Sequence, residues 1–339
     1  MLYKLILSLR HLFYDKGWKK TFKAHVPTVC VGNITVGGTG KTPHTEMILH
    51  LLQENEIWGR RQLAILSRGY KRKSHGFQVA GSDATAVQMG DEPLQMARKF
   101  PTVTVAVDKN RVHGCEQLTG ADLIILDDAY QYRRLSATLN IVLVDYNRPI
   151  FEDRLMPWGN LRDLPARIQK AEVVIVSKCP AELDEVEREE WRKRLKLTET
   201  QHLFFTTVQY CQPEPVFPEA DVHYIYSRRL VLLSGIANNT PLRMYLSDTY
   251  QIVDKLEFPD HHHFTPGDIR TIAAAAREYP TACIMTTEKD AQRLRDCKKV
   301  PEEICKRLFY VPIQAVFLTE EEKKQFTEIL LEAVTSKER

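Results

Sequence analysis

Apolar residues along this chain gather into short unbroken runs, at 28–31, 63–66, 103–107, 123–126, 140–144 and 173–176. Runs of this length are too short for helices, and their uniform apolarity predicts strands buried on both faces. The stretches 43–53, 90 to about 100, and 110–118 carry helical spacing and lie between those strands. A strand–helix alternation of this kind predicts an α/β fold with a parallel sheet covered on both sides. Between residues 205 and 228 the pattern breaks. Two short strands, 206–210 and 222–226, are predicted around Pro213, Pro215 and Pro218, whose spacing excludes a helix or a central strand. Beyond this junction a second α/β unit is predicted, with strands at 230–233, near 282–285 and at 309–311, and a closing helix from Glu320.

Length supports that division, because 339 residues exceed what one hydrophobic core usually organises. A net charge of +3 is too small to predict a nucleic-acid partner. The seven cysteines are scattered and contain no C-x-x-C pair, which argues against a disulfide framework or a zinc knuckle and for a reducing cytosol. No apolar run reaches the roughly 18–20 residues of a spanning helix. The first 25 residues nevertheless stand apart. They place Leu2, Tyr3, Leu5, Ile6, Leu9, Leu12 and Phe13 mostly at helical spacing and carry six basic residues against the single acid Asp15. Such a segment suits a helix lying on an anionic leaflet, and equally one packed on its own domain.

Four segments carry chemistry. Thr35-Val36-Gly37-Gly38-Thr39-Gly40-Lys41-Thr42 falls between a predicted strand and a predicted helix, the setting of a P-loop. Its glycines allow backbone N–H groups to close on phosphate oxygens. Lys41 can reach the outer phosphates and Thr42 can ligate Mg²⁺. Thr35 occupies the position where the general pattern has its first glycine. The run 121–128 ends in Asp127-Asp128, an acidic pair closing an apolar strand beside the metal in the Walker B manner. Gly90-Asp91-Glu92-Pro93 opens a helix; its acids read either as helix caps or as a base or metal carboxylate. Asp260-His261-His262-His263 holds three adjacent imidazoles, which converge poorly on one ion. A single working histidine oriented by a carboxylate is the better reading.

Taken together, these segments resemble the tetraacyldisaccharide 4′-kinase family. The resemblance runs from Val26 to about Arg295 through seven blocks in order. Besides the segments above, it rests on Leu66-Ser67-Arg68-Gly69-Tyr70, on the run 126–135, on Pro157, Gly159, Leu161 and Arg162, and on 286–291. The family's phosphate turn also lacks the first glycine. Tyr132 stands where the family often has histidine.

The resemblance implies a P-loop NTPase (RecA-like) α/β/α sandwich and a second, smaller α/β/α domain, joined by a two-stranded linker. The boundaries would be 1–25 for a membrane-association helix, 26–208 for the nucleotide domain, 209–228 for the linker and 229–339 for the C-terminal domain. It further implies ATP and Mg²⁺ as cofactors and transfer of the γ-phosphoryl group to the 4′-hydroxyl of an acylated disaccharide 1-phosphate, giving lipid IVA. Asp91 and His261 would form the base, Asp91 from the first domain and His261 from the second, so that domain closure would activate the hydroxyl. Glu92, Asp127, Asp128 and Thr42 would surround the metal. Thr35, Gly37, Gly38, Thr39, Gly40, Lys41 and Thr42 would hold the nucleotide. Arg68 and Arg162 are expected on the anionic substrate. The expected location is the cytoplasmic face of a bacterial inner membrane, attached peripherally or by the N-terminus, with no obligate protein partner. The alternatives are a P-loop switch or metal-chaperone NTPase and a soluble small-molecule kinase of the same fold.

Overall fold

The structure, a computed structural model, describes residues 2–336. It forms two compact units, neither of them contiguous in sequence. The first comprises the residues up to Asp83, Met96–Gln209 and those from Gln314 on; the second comprises Ala84–Gln95 and Tyr210–Ile313.

The first unit is built on a nine-stranded sheet. Its strands are β1 (Thr28–Asn33), β2 (Leu63–Ser67), β3 (Gln78–Val79), β4 (Thr104–Val107), β5 (Leu123–Asp127), β6 (Leu139–Asp145), β7 (Val173–Ser177), β8 (His202–Tyr210) and the late strand Ile313–Phe317. From one edge the order is Ile313–Phe317, β8, β7, β6, β1, β5, β2, β4, β3. The pairings from β8 through β4 are parallel, and the short β3 adds antiparallel at its edge. Side chains alternate across a pleated strand, so each apolar run feeds two cores. Val29, Val31, Ile65, Ile125, Ile141 and Leu143 pack on one face. Cys30, Ala64, Leu66, Ile124, Leu126, Val142 and Val144 pack on the other. Helix Lys41–Glu54 covers the first face with Ile48, Leu49 and Leu52, beside Phe326, Leu330 and Val334 of helix Glu320–Thr335. Val112 and Cys115 of helix Arg111–Gln117, with Trp191 and Leu195 of helix Glu185–Leu195, cover the second.

The second unit has its own five-stranded sheet. Its strands are β9 (Glu214–Pro215), β10 (Arg229–Ser234), β11 (Gln251–Glu257), β12 (Cys283–Thr287) and β13 (Leu308–Val311), in the order β9, β13, β12, β10, β11. Here too the core is split by the pleat, with Val231, Leu233 and Ile284 on one face and Leu230, Leu232 and Met285 on the other.

Four features differ from the sequence expectation. The closing helix assigned to 229–339 packs in the first unit's core, because its apolar stripe Phe326, Leu330 and Val334 is buried there. Residues 84–95, expected in the first domain, fold with the second unit. Val222–Tyr226 is a short 3-10 helix rather than a strand. Asp221 accepts the His223 N–H at its start, and none of its residues is buried, so nothing holds it extended. Besides 83/84 and 95/96, the division between the units falls at Gln209/Tyr210 on β8 and at Ile313/Gln314 on the late strand, two strands that are neighbours in the sheet.

Candidate functional site

In the first unit, β1 delivers the chain into the phosphate turn at its carboxyl end, where open α/β sheets bind ligands. Gly37 and Gly40 sit at φ of 98° and 85°, a left-handed conformation that a side chain would strain. Thr35 lies instead in extended backbone bridged to Leu161, so its position has no need of glycine. The turn is braced on several sides. Asn33 donates to Thr39 Oγ1 at 2.7 Å, and Ser177 Oγ donates to the Thr39 carbonyl at 2.8 Å. Lys178 donates to the Gly38 carbonyl and to Asp145 at 2.7 Å. His44 lies one turn into the following helix, with Nδ1 2.7 Å from the Gly40 carbonyl and Nε2 2.9 Å from Thr206 Oγ1. Burial pushes the His44 imidazole down to about 4, so it is neutral, donating from Nδ1 and accepting at Nε2.

The acidic pair closes β5 beside this turn. Asp127 is buried and accepts from Ser67 Oγ at 3.0 Å. Asp128, at φ 48°, turns back so that its carboxylate meets Lys41 Nζ at 3.8 Å. Arg162 grips both Asp128 oxygens with its guanidinium fork and also bonds Asn33. Burial would raise the Asp128 carboxyl, but Lys41, Arg162 and Arg111 outweigh it and hold the group below the ordinary carboxylate range. Arg162 was expected on substrate. In the structure its fork bonds Asp128 and Asn33. Arg68 is exposed at the end of β2.

Thr42, Asp127 and Asp128 supply hard oxygen donors at this edge. Among the described residues no cluster of three His, Cys, Asp or Glu could hold a metal by itself. Mg²⁺ asks for only one or two carboxylates and fills its remaining positions with phosphate oxygens and water, so this donor set fits it. Glu92 belongs to the second unit, where it pairs with Lys289 at 2.6 Å.

The second unit assembles the other candidates. Asp91 opens helix Asp91–Lys99 and lies 3.1 Å from His261 Nδ1, within a single unit rather than in separate domains as expected. Arg293 donates to Asp91 at 2.7 and 3.0 Å and to Asp290 at 2.8 Å. Burial pushes Asp91 up, but the His261 hydrogen bond and the Arg293 guanidinium overcome this and hold it down at about 2. Asp91 is thus a poor proton acceptor and a good orienting group. With Nδ1–H donating to Asp91, the basic lone pair falls on His261 Nε2. His261 itself stands at φ 61°. The neighbouring imidazole takes a different partner, His262 bonding Asp268 at 2.9 Å and stacking on Phe258.

Comparison with known proteins decides the family. The profile of the tetraacyldisaccharide-1-P 4′-kinase family, LpxK, matches residues 1–335. The chain belongs to this family. It is 40% identical to the tetraacyldisaccharide 4′-kinase of Flavobacterium johnsoniae, over 95% of this chain and 92% of that protein. It is 39% identical to that of Parabacteroides distasonis, over 99% and 93% respectively. Among solved structures it is similar to LpxK from Aquifex aeolicus in complex with ATP, with a TM-score of 0.75 and 28% identity over 98% of this chain and 96% of that one.

Several residues of this LpxK-family site escaped the sequence reading. Asn33, His44, Ser177 and Lys178 brace the turn from positions whose residue types mean nothing in isolation. Arg111 is buried near the acids and donates to the Asp108 carbonyl at 3.2 Å; its place just after a helix cap, Asn110, was the one available signal. Tyr132 bonds Asn110 Oδ1 at 2.9 Å and lies under the Arg111 guanidinium.

Proposed function

We propose that this chain transfers the γ-phosphoryl group of ATP to the 4′-hydroxyl of a tetraacyldisaccharide 1-phosphate at the cytoplasmic face of a bacterial inner membrane. The turn from Thr35 to Thr42 holds the triphosphate, with Lys41 on its outer phosphates. Thr42, Asp127 and Asp128 hold Mg²⁺, which neutralises charge on the phosphate oxygens when bound. Asp91 fixes the tautomer of His261, and His261 Nε2 takes the proton from the 4′-hydroxyl. The hydroxyl oxygen then bonds to the γ-phosphorus as the bond to ADP breaks. The donor residues belong to the first unit, the base and its orienting acid to the second. Attachment to the leaflet falls to helix Leu2–Asp15, whose outer face exposes Leu2, Leu5, Ile6, Leu9 and Leu12. Among the described residues no helix is long and apolar enough to cross a membrane.

The observation that carries this reading is a family member's phosphate turn with Lys41 beside Asp128, together with an Asp91-held imidazole. Mass spectrometry after incubation with ATP, Mg²⁺ and the tetraacyldisaccharide 1-phosphate tests it. The expected product is the acceptor carrying one added phosphate. Consumption of ATP with the acceptor unchanged would sink the proposal.

A further inference from the structure

Helix Leu2–Asp15 has a second face, which points inward. Tyr3, Leu7, Arg10 and His11 follow one another at helical spacing, opposite the exposed stripe, and Leu7 and His11 are buried. Each polar member of this inner face reaches a specific group. Tyr3 Oη donates to the Arg162 carbonyl at 2.9 Å, and Arg10 donates to the Gln131 carbonyl. His11 Nε2 meets Asp163 Oδ1 at 2.6 Å, a pair almost wholly excluded from water. Arg133 ties the helix from outside, donating to the His11 carbonyl at 3.0 Å and to Asp15 at 2.7 Å.

The three residues that receive these contacts are the ones that hold the phosphate site. Gln131 donates through its side chain to the Asn33 carbonyl. Arg162 grips Asp128 and Asn33. The Arg162 and Asp163 N–H groups both bond the Ile34 carbonyl, at 2.9 and 3.3 Å. Asn33 in turn positions Thr39 of the turn. One residue, Arg162, therefore separates the N-terminal helix from Asp128, and Asn33 is the second step on the way to the turn. A helix that needed only to rest on lipid would not require a buried hydrogen-bonded anchor, since its apolar outer face and basic flank would suffice.

We propose that His11, with Tyr3 and Arg10, is a positioning residue for phosphoryl transfer: the helix that lies on the anionic leaflet also sets the Arg162–Asp128 clamp. The proposal rests on the kinase reading above and on leaflet attachment, and it adds that seating the helix and aligning the acid are one event. Displacement of the clamp by an ångström-scale shift lowers turnover about 10- to 100-fold without loss of acceptor affinity.

The test uses the full chain with phosphatidylglycerol vesicles, phosphatidylcholine vesicles, and acceptor lipid in mixed micelles. The variants are His11→Ala, His11→Gln, Tyr3→Phe and the outer-face pair Leu5→Ser/Leu9→Ser. His11→Ala is expected to sediment with phosphatidylglycerol vesicles like the parent while kcat falls at least about 10-fold and acceptor KM holds. His11→Gln, which keeps an N–H for Asp163, is expected to recover part of that loss. Tyr3→Phe, which removes only the hydroxyl that reaches the Arg162 carbonyl, is expected to lower kcat in the same direction. The outer-face pair is expected to lose sedimentation. Unchanged kcat in both His11→Ala and Tyr3→Phe, or a change confined to KM, overturns the coupling. Failure of the parent to sediment with phosphatidylglycerol overturns leaflet attachment instead, and absence of any phosphorylated product overturns the kinase reading.

Discussion

In the proposed reaction Lys41 and His261 serve different halves of the chemistry, and single substitutions separate them. Lys41→Ala removes the one side-chain cation aimed from the turn at the outer phosphates, and transfer is expected to fall by about 10²–10³-fold or more. Steady-state turnover with the acceptor present measures it, and near-parental turnover contradicts the assignment. His261→Asn leaves the turn intact and removes the base, so kcat is expected to fall about 10²–10⁴-fold with nucleotide affinity unchanged. Isothermal titration with a non-hydrolysable ATP analogue, alongside single-turnover transfer, distinguishes the two effects. His44 gives a pH signature. Its imidazole titrates near 6.5 when unfolded and about 4 in the folded chain. The unfolded state binds the proton more readily, so the stability contributed by neutral His44 is present above about pH 6.5 and is lost as pH falls through about 4. Thermal unfolding followed across that window is expected to show a shallower decline for His44→Gln than for the parent. Identical slopes would remove His44 from the account. At this scale the sequence revealed the residues whose types announce chemistry, such as Lys41, Asp127, Asp128, Asp91 and His261. It hid Asn33, His44 and Lys178, because an amide, an imidazole or an ammonium acquires meaning only from the carbonyl or hydroxyl it reaches.

Strands and helices were legible where one physical cause dominated. β1, β2, β5, β6 and β7 are apolar on both faces, and each was visible as an unbroken run. β11 was not. As an edge strand it mixes Asp254, Lys255 and Glu257 with Ile252 and Leu256, and its pattern resembles a loop. The segment 222–226 erred the other way, since β-branched and aromatic residues suggested a strand that no partner strand pairs. The last helix was recognised as a helix but assigned to the wrong core, because its stripe says that it must be buried and not where. Thr319 caps it by accepting the Glu322 N–H, and Glu322 reaches Arg188 at 2.9 Å and the Phe205 N–H at 3.0 Å. Phe326 is fully buried in the first unit. Phe326→Ala is therefore expected to cost that unit about 3–5 kcal/mol, read as a shift in denaturant midpoint. If only the second unit's unfolding moved, the packing described for this helix would be wrong.

Charge on the whole molecule is nearly balanced, yet the first 25 residues hold six basic residues against one acid. The proposed attachment to an anionic leaflet then rests on a local field rather than a global one. Sedimentation with phosphatidylglycerol vesicles is expected to weaken as ionic strength rises and the Debye length shrinks from about 10 Å at 0.1 M to about 3 Å at 1 M. Binding that is insensitive to salt would shift the burden to the apolar stripe alone. The path of the chain has a consequence of another kind. The first unit needs both its opening residues and those from Gln314 on, and its core is unfinished without Phe326, Leu330 and Val334. Chains are made from the N-terminus and domains generally fold as units during synthesis. Here the segment that carries the phosphate turn emerges from the ribosome early, while the helix that completes its unit's core emerges only after the second unit. The second unit can gather its own pieces in the meantime. A ribosome that stalls before helix Glu320–Thr335 would thus release a chain with every residue of its proposed chemistry and an unfinished core in the unit that carries the phosphate turn.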